Sequence, residues 1–202
     1  MTTNRRRSTG SKAGVARKEA ILRSATRVFA EKGFAAATVR DIADEAEMLS
    51  GSLYYYFDSK ESIIEEIVVG YLKPLVSAYH AARDAAGGPV DQLEALVGVA
   101  LNSLVGNREE LMILHNEWAH VRSMPGIVEL QAQVDQLWMN AIQEGMNAGD
   151  LRDEFPPRLV YRTMMGALES VIRWFDPSGP SSIEQITKLQ TTLMLDGLRA
   201  PR

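Results

Sequence analysis

Apolar residues return at helical intervals along almost the whole chain, and no segment alternates convincingly enough to read as a strand. Ile21, Ala25, Val28 and Phe29 fall at i, i+4, i+7 and i+8, the stripe of an amphipathic helix, and Gly33 stands where a closing glycine is common. The pattern predicts a first helix over 15–32. Val39, Ile42, Ala43 and Ala46 repeat it on a shorter scale, and Leu53 with Phe57 repeats it again after the brief gap Glu47 to Leu49. Thr38 with Asp41 forms a capping-box pair before the second stripe, and Asp58 with Glu61 forms another at the start of a fourth helix.

Glycine and proline cut the remainder into further helices. The predicted spans are 59–86, closed by Gly87-Gly88-Pro89, then 90–106, 108–122, 126–148, a helix from Pro156-Pro157 to near Phe175, and 181–198. The last opens on Ser181 with Glu184 and Ser182 with Gln185. The fold class is therefore all-α, with about nine helices: an N-terminal helix-turn-helix domain over 15–60 and a C-terminal helical body over 61–202. Pro74 sits inside the fourth helix, where its missing amide hydrogen and its collision with the carbonyl of Gly70 predict a kink. That kink either lets the body move the N-terminal domain or only shapes packing.

Two short helices at a tight turn match the helix-turn-helix, whose second helix enters the major groove of DNA. The reading helix then begins near Ser50. Ser50, Gly51 and Ser52 are small enough to let its backbone approach base edges and phosphates. Tyr54, Tyr55 and Tyr56 are consecutive, so on a helix they spread at 100° steps and cannot all be buried. Tyr54 is expected in the core and at least one other hydroxyl toward DNA.

Charge sharpens this picture. The total of −4 conceals 11 basic against 7 acidic residues in 1–60, and 11 against 19 in 61–202. Arg5, Arg6, Arg7 and Lys12 make 1–14 a basic arm, expected to be disordered until it meets phosphate or a narrow minor groove. The chain has no cysteine, so disulfides and thiolate chemistry are excluded, which suits a cytoplasmic protein. The most apolar stretch, 63–79, is broken by Glu65, Glu66 and Lys73, so no membrane span is expected.

Phe29, Gly33, Thr38, Ile42-Ala43, Gly51, Leu53-Tyr54, Phe57 and Ser59-Lys60-Glu61 together resemble the TetR family of one-component transcriptional repressors. The resemblance is specific over about 17–62; the remaining residues match in being helical. It implies that the positions of Thr38, Tyr55 and Lys60 touch the phosphate backbone and that Arg40, Ser50, Ser52 and Tyr56 reach bases. One departure lies in the turn, where family members usually carry Gly-Val-Ser and this chain has Glu47-Met48-Leu49. Glycine takes positive φ more readily than glutamate, and the usual cap of the reading helix is missing, a loss that Ser50 is expected to make good in part.

For the body, the resemblance implies effector binding and dimerisation. Leu111, His115, Trp118 and Arg122 lie on or near one face of the 108–122 helix and, with Leu104 and Met164, are the candidate effector residues; the same face also serves as plain core. Val160, Met164, Ala167, Leu168 and Val171 form one stripe and Ile186, Leu189 and Leu193 another, the candidate four-helix dimer interface, with sealing of the monomer core as the competing reading. No catalytic glycine or serine motif is present. His115 and His120 are five apart, about 140° around a helix rather than on one face, so no metal site and no cofactor is expected. The implied function is a homodimeric repressor that holds an inverted-repeat operator in double-stranded DNA and is released by a small-molecule effector; a ligand-independent architectural protein and an activator are the alternatives. The runs 49–54 and 171–175 look like those of actinobacterial repressors of steroid and fatty-acid breakdown, which implies an acyl-coenzyme A effector met by Arg122, Arg162 or Arg173.

Overall fold

The computed structural model describes residues 12–200, so most of the predicted basic arm lies outside the described residues. Ten helices follow one another: α1 Lys12–Lys32, α2 Val39–Glu45, α3 Ser50–Leu53, α4 Lys60–Ala85, α5 Pro89–Gly106, α6 Arg108–Asn116, α7 Trp118–Val121, α8 Pro125–Asn147, α9 Pro157–Trp174 and α10 Ile183–Leu198. Among the described residues there is no strand, only an isolated antiparallel bridge between Leu151 and Arg199. The fold is all-α.

The chain divides into two compact units. One contains the residues up to Tyr71 together with Glu109–Ile127; the other contains Leu72–Arg108 and the residues from Val128 onward. The residues of α7 and nearly all of α6 thus group with the N-terminal helices.

In the first unit, α2 packs on α1 and α3 on α2. Ile21, Ala25, Val28, Phe29, Ile42, Ala43, Leu53 and Phe57 are all buried between them. Local chemistry closes each helix. Gly33 adopts φ +74 and its amide donates to the carbonyl of Phe29 at 3.0 Å, ending α1 with the left-handed residue that glycine accommodates freely. Thr38 and Asp41 complete a reciprocal capping box on α2. The predicted Asp58–Glu61 box does not form. Ser59 and Ser62 exchange those bonds instead, the Ser62 amide donating to Ser59 Oγ at 3.1 Å and the Ser59 amide to Ser62 Oγ at 3.2 Å.

The second unit packs α5 against α10 and α9, burying Leu93, Leu96, Val97, Leu101, Trp138, Ile142 and Val171. Arg108 donates to the carbonyl of Phe175 at 2.8 Å, satisfying an orphan acceptor at the end of α9. Gly145 has no room for a side chain, since a Cβ there would lie 2.6 Å from Leu151 Cδ1. Ser182 and Gln185 form the predicted box on α10.

α4 continues from Lys60 to Ala85 with Pro74 inside it, where Gly70 and Pro74 are both exposed. One helical expectation changes. The span 108–122 is split at Glu117, whose φ of −101 and ψ of 15 leave the helical region, so the described residues form ten helices where nine were expected.

Candidate nucleic-acid interface

The turn that aims the reading helix is a Schellman motif. The Met48 amide donates to the Ala43 carbonyl at 2.9 Å and the Glu47 amide to the Asp44 carbonyl at 3.1 Å, with Glu47 as the left-handed residue at φ +50. Glutamate thus does what glycine would do here, at a conformational cost of about 1 kcal/mol. Glu47→Gly is expected to raise stability by up to roughly 0.5 kcal/mol in thermal unfolding, less than the full strain because glycine gains freedom in the unfolded chain.

α3 is capped by backbone alone. Leu49 is its N-cap and makes no side-chain cap bond; the Ser52 amide donates to the Leu49 carbonyl at 2.8 Å. Ser50, expected to supply part of the cap, instead lies inside the helix as its first residue. Gly51 and Ser52 are exposed and Ser50 half-buried, which leaves the start of the helix open to an approaching duplex.

The three tyrosines lie past the end of the reading helix: α3 ends at Leu53 and Tyr54–Tyr56 form a turn, the Tyr56 amide donating to the Leu53 carbonyl at 2.9 Å. Tyr54, predicted in the core, is 48% exposed, whereas Tyr55 and Tyr56 are half-buried and meet edge to face at 5.3 Å between centroids. The 100° step fails because the helix is one turn long.

Electrostatics within the head redistribute the basic charge. Lys18 pairs with Glu66, Arg27 with Glu45 and Lys32 with Asp41, each at 2.7 Å. Arg17 donates to the Ala46 carbonyl at 3.2 Å, at the end of α2. Arg40 makes only a long, exposed i,i+4 ion pair with Asp44 at 3.7 Å, its side chain 84% exposed, a weak hold on a group able to swing toward a duplex.

Thr38, assigned to phosphate by resemblance, is exposed and its hydroxyl donates to Asp41 Oδ2 at 2.6 Å. The Lys32 ammonium, followed by the Thr38 hydroxyl and amide, holds the Asp41 carboxyl well below the usual carboxylate range. The folded state therefore favours the ionised form. This support is complete at neutral pH and is lost as pH falls below about 4, where the unfolded carboxyl already protonates. Asp41→Asn is expected to flatten that acid-side decline in a melting temperature against pH series.

Lys60, placed at phosphate by resemblance, is held within the head: its Nζ donates to the carbonyls of Phe34 at 2.6 Å and Ala37 at 2.8 Å and lies 4.3 Å from the Phe34 ring centroid. Phe34 is the hub of this corner. Its amide donates to Glu117 Oε1 at 2.9 Å and its ring meets those of Phe29 at 5.5 Å and His120 at 5.6 Å. Glu117 also lies 3.3 Å from His120 Nδ1. The break in the 108–122 helix thus coincides with a carboxylate that satisfies the turn after α1.

A head with a left-handed Schellman turn, an open reading helix and a capped supporting helix can be set against known proteins. Residues 21–67 match the bacterial regulatory proteins of the tetR family, and residues 86–198 match the tetracyclin repressor-like C-terminal domain. The chain belongs to the TetR family of transcriptional regulators. It is 34% identical over 199 residues to the HTH-type transcriptional repressor KstR2 of Rhodococcus jostii, covering 96% of this chain and 95% of that protein. The KstR2 repressor of Mycolicibacterium smegmatis is 32% identical over 90% of both chains. Among solved structures, the ketosteroid transcriptional regulator KstR2 of Mycobacterium tuberculosis superimposes with a TM-score of 0.83 at 30% identity, covering 92% of this chain and 96% of that one. Members of the TetR family are DNA-binding regulators rather than enzymes. Among the described residues, no helix is long and apolar enough to cross a membrane.

The residues predicted for the effector do not gather in one unit. Leu111, His115, Trp118 and Arg122 belong to the first, Leu104 and Met164 to the second; Leu104 and Met164 are buried, Trp118 is 40% exposed and Arg122 exposed. A helical stripe fixes which residues share a face, but not which unit that face joins. The second unit holds half-buried polar groups and a buried indole that periodicity did not single out. Tyr161 donates its hydroxyl to Asp135 Oδ1 at 2.6 Å and Gln131 donates to the same oxygen at 2.8 Å. Burial, then the bond to Asp135, pushes the Tyr161 phenol up. Trp138 is completely buried, edge-on to Tyr79 at 6.0 Å, and its indole N–H has no acceptor.

The predicted interface stripes also divide. Val160, Met164, Leu168, Val171 and Ile186 are buried inside the chain and Ala167 is half-buried. Leu189 and Leu193 stand 58% and 66% exposed, and Leu159, next to the predicted set, 52%. Between α9 and α10 lies an apolar groove of about 540 Å³ lined by Phe155, Leu159, Thr163, Leu193 and Met194.

Proposed function

We propose that this chain is a homodimeric, ligand-responsive repressor that acts in the cytoplasm, holds an inverted-repeat operator through Arg40, Ser50, Gly51, Ser52, Tyr55 and Tyr56, and lets go when a small effector binds its helical body. The observation that carries the reading is an open, exposed start to α3 in a chain that matches KstR2 repressors over nine-tenths or more of their length. Dimerisation through α9 and α10 is supported by the exposed Leu159, Leu189 and Leu193 and the groove beside them. Two heads about 34–36 Å apart reach successive major grooves of one duplex face, which is why the operator repeats in inverted order.

For the effector, the name of the M. tuberculosis relative points to steroid-derived molecules. A fused-ring effector bearing a carbonyl or carboxylate suits a body whose core is apolar and whose buried Trp138 N–H lacks an acceptor, since an unmet buried donor costs about 1–3 kcal/mol. A coupling on the order of 1–3 kcal/mol between effector and operator is enough for induction.

Selection of genomic fragments by the full-length protein tests the first part. The enriched fragments are expected to share an inverted repeat, and affinity to fall with salt at a log–log slope near −0.9 per phosphate neutralised. Fragments without dyad symmetry would count against the reading. For the second part, steroid acids and their coenzyme A thioesters are titrated: the effector should raise the melting temperature and weaken operator binding together. A ligand that stabilises the protein but tightens the operator makes it a co-repressor instead.

A further inference from the structure

Leu49 is the most exposed large apolar side chain among those described, at 80%, ahead of Leu193 at 66%. It stands at the N-cap of α3, the position where serine, threonine, aspartate or asparagine would satisfy an orphan amide, and makes no such bond. Two residues earlier, Glu47 occupies a left-handed conformation that glycine would adopt without strain. The turn before the reading helix therefore departs twice from its locally favoured residues. Departures that no packing compensates mark places where a sequence serves something other than folding.

The place of Leu49 narrows what that is. In a helix-turn-helix the residues at the start of the second helix are those that meet base edges. Ser50, Gly51 and Ser52 beside it are small, and Gly51 and Ser52 are exposed, so nothing on its own helix shields the leucine. A leucine has no donor or acceptor and cannot read the hydrogen-bonding edge of a base. In the major groove, the apolar feature that varies with sequence is the C5-methyl group of thymine.

Resting on the reading that this head binds an operator, we infer that Leu49 is a specificity-determining residue that packs against a thymine methyl in each half-site. Cytosine, which lacks the methyl, is disfavoured at that base pair. The exposed leucine is thus covered by DNA when the protein is bound.

The test uses the full-length protein and the duplex it enriches from a randomised library. Each thymine is replaced in turn by deoxyuridine, which removes only the methyl. At one or two thymines per half-site the exchange is expected to weaken wild-type binding by about 3–10-fold, the scale of one buried methyl group. Leu49→Ala should bind the thymine duplex more weakly by a similar factor and be indifferent to the exchange at those same positions. Leu49→Ser should behave likewise on DNA while melting at or above the wild-type temperature, because it restores the cap; this separates lost contact from a loosened head. The inference is overturned if no exchange affects wild type, or if Leu49→Ala stays as sensitive as wild type at every position. If no duplex at all is enriched, it is the operator reading itself that fails.

Discussion

Lys60→Met is expected to destabilise the reading head by about 2 kcal/mol, the scale of losing charge-assisted hydrogen bonds to two carbonyls at a half-buried site. The ammonium holds the Phe34 and Ala37 carbonyls at 2.6 and 2.8 Å, and methionine keeps the length of the side chain while leaving both acceptors without that donor. The cation above the Phe34 ring goes with it. Amide exchange in α1–α3 should accelerate about 30-fold, which is 2 kcal/mol at 1.4 kcal/mol per decade, with the protection of α5, α9 and α10 unchanged. Lys60→Arg keeps the charge and should recover part of the loss. Had Lys60 served phosphate instead, the pattern would invert: protection would be preserved, while the salt dependence of operator binding would flatten by about one phosphate. The two outcomes tell a structural cation from a DNA contact in one variant.

Leu159→Glu combined with Leu193→Glu is expected to turn the protein into a monomer and to lower operator affinity by at least about 10³-fold. Both side chains are more than half exposed in the single chain and line the same groove, so charges there cost nothing to the monomer but would be buried unpaired in a dimer, at several kcal/mol. A monomer reaches one half-site only, which removes the gain from binding two linked heads. Sedimentation velocity at micromolar concentration reads the assembly, and circular dichroism checks that helix content is unchanged. A double variant that still sediments as a dimer would place the interface elsewhere. By contrast, Met164→Glu would damage the core, because Met164 is buried within the chain; the distinction between these two kinds of position was invisible in the stripes.

The legible features share one property: their causes lie within a few residues. The Thr38–Asp41 and Ser182–Gln185 boxes span three residues, and the closing glycine of α1 follows the last turn directly. The spacing of Ile42, Ala43, Leu53 and Phe57 likewise placed the two short helices, and all four side chains are buried. Where a short-range pattern had competing solutions the reading slipped by one register, as when Ser59 and Ser62 took the bonds expected of Asp58 and Glu61. Tyr54 was misplaced because periodicity assumes a helix longer than the single turn of α3.

What the sequence determined by itself was most of the string of helices, the caps of α2 and α10 and the helix-turn-helix, because amphipathic spacing and capping act between neighbours along the chain. What only tertiary structure decided was the company each side chain keeps. Lys60 turned to carbonyls 23 and 26 residues away, and Glu117 broke its helix beside an amide 83 residues away. The α9 and α10 stripes split into a buried side and an open one. A cation accepts whichever oxygens reach it first, and an apolar face only specifies that it be covered. Neither says by what, until distant segments of the chain are packed together.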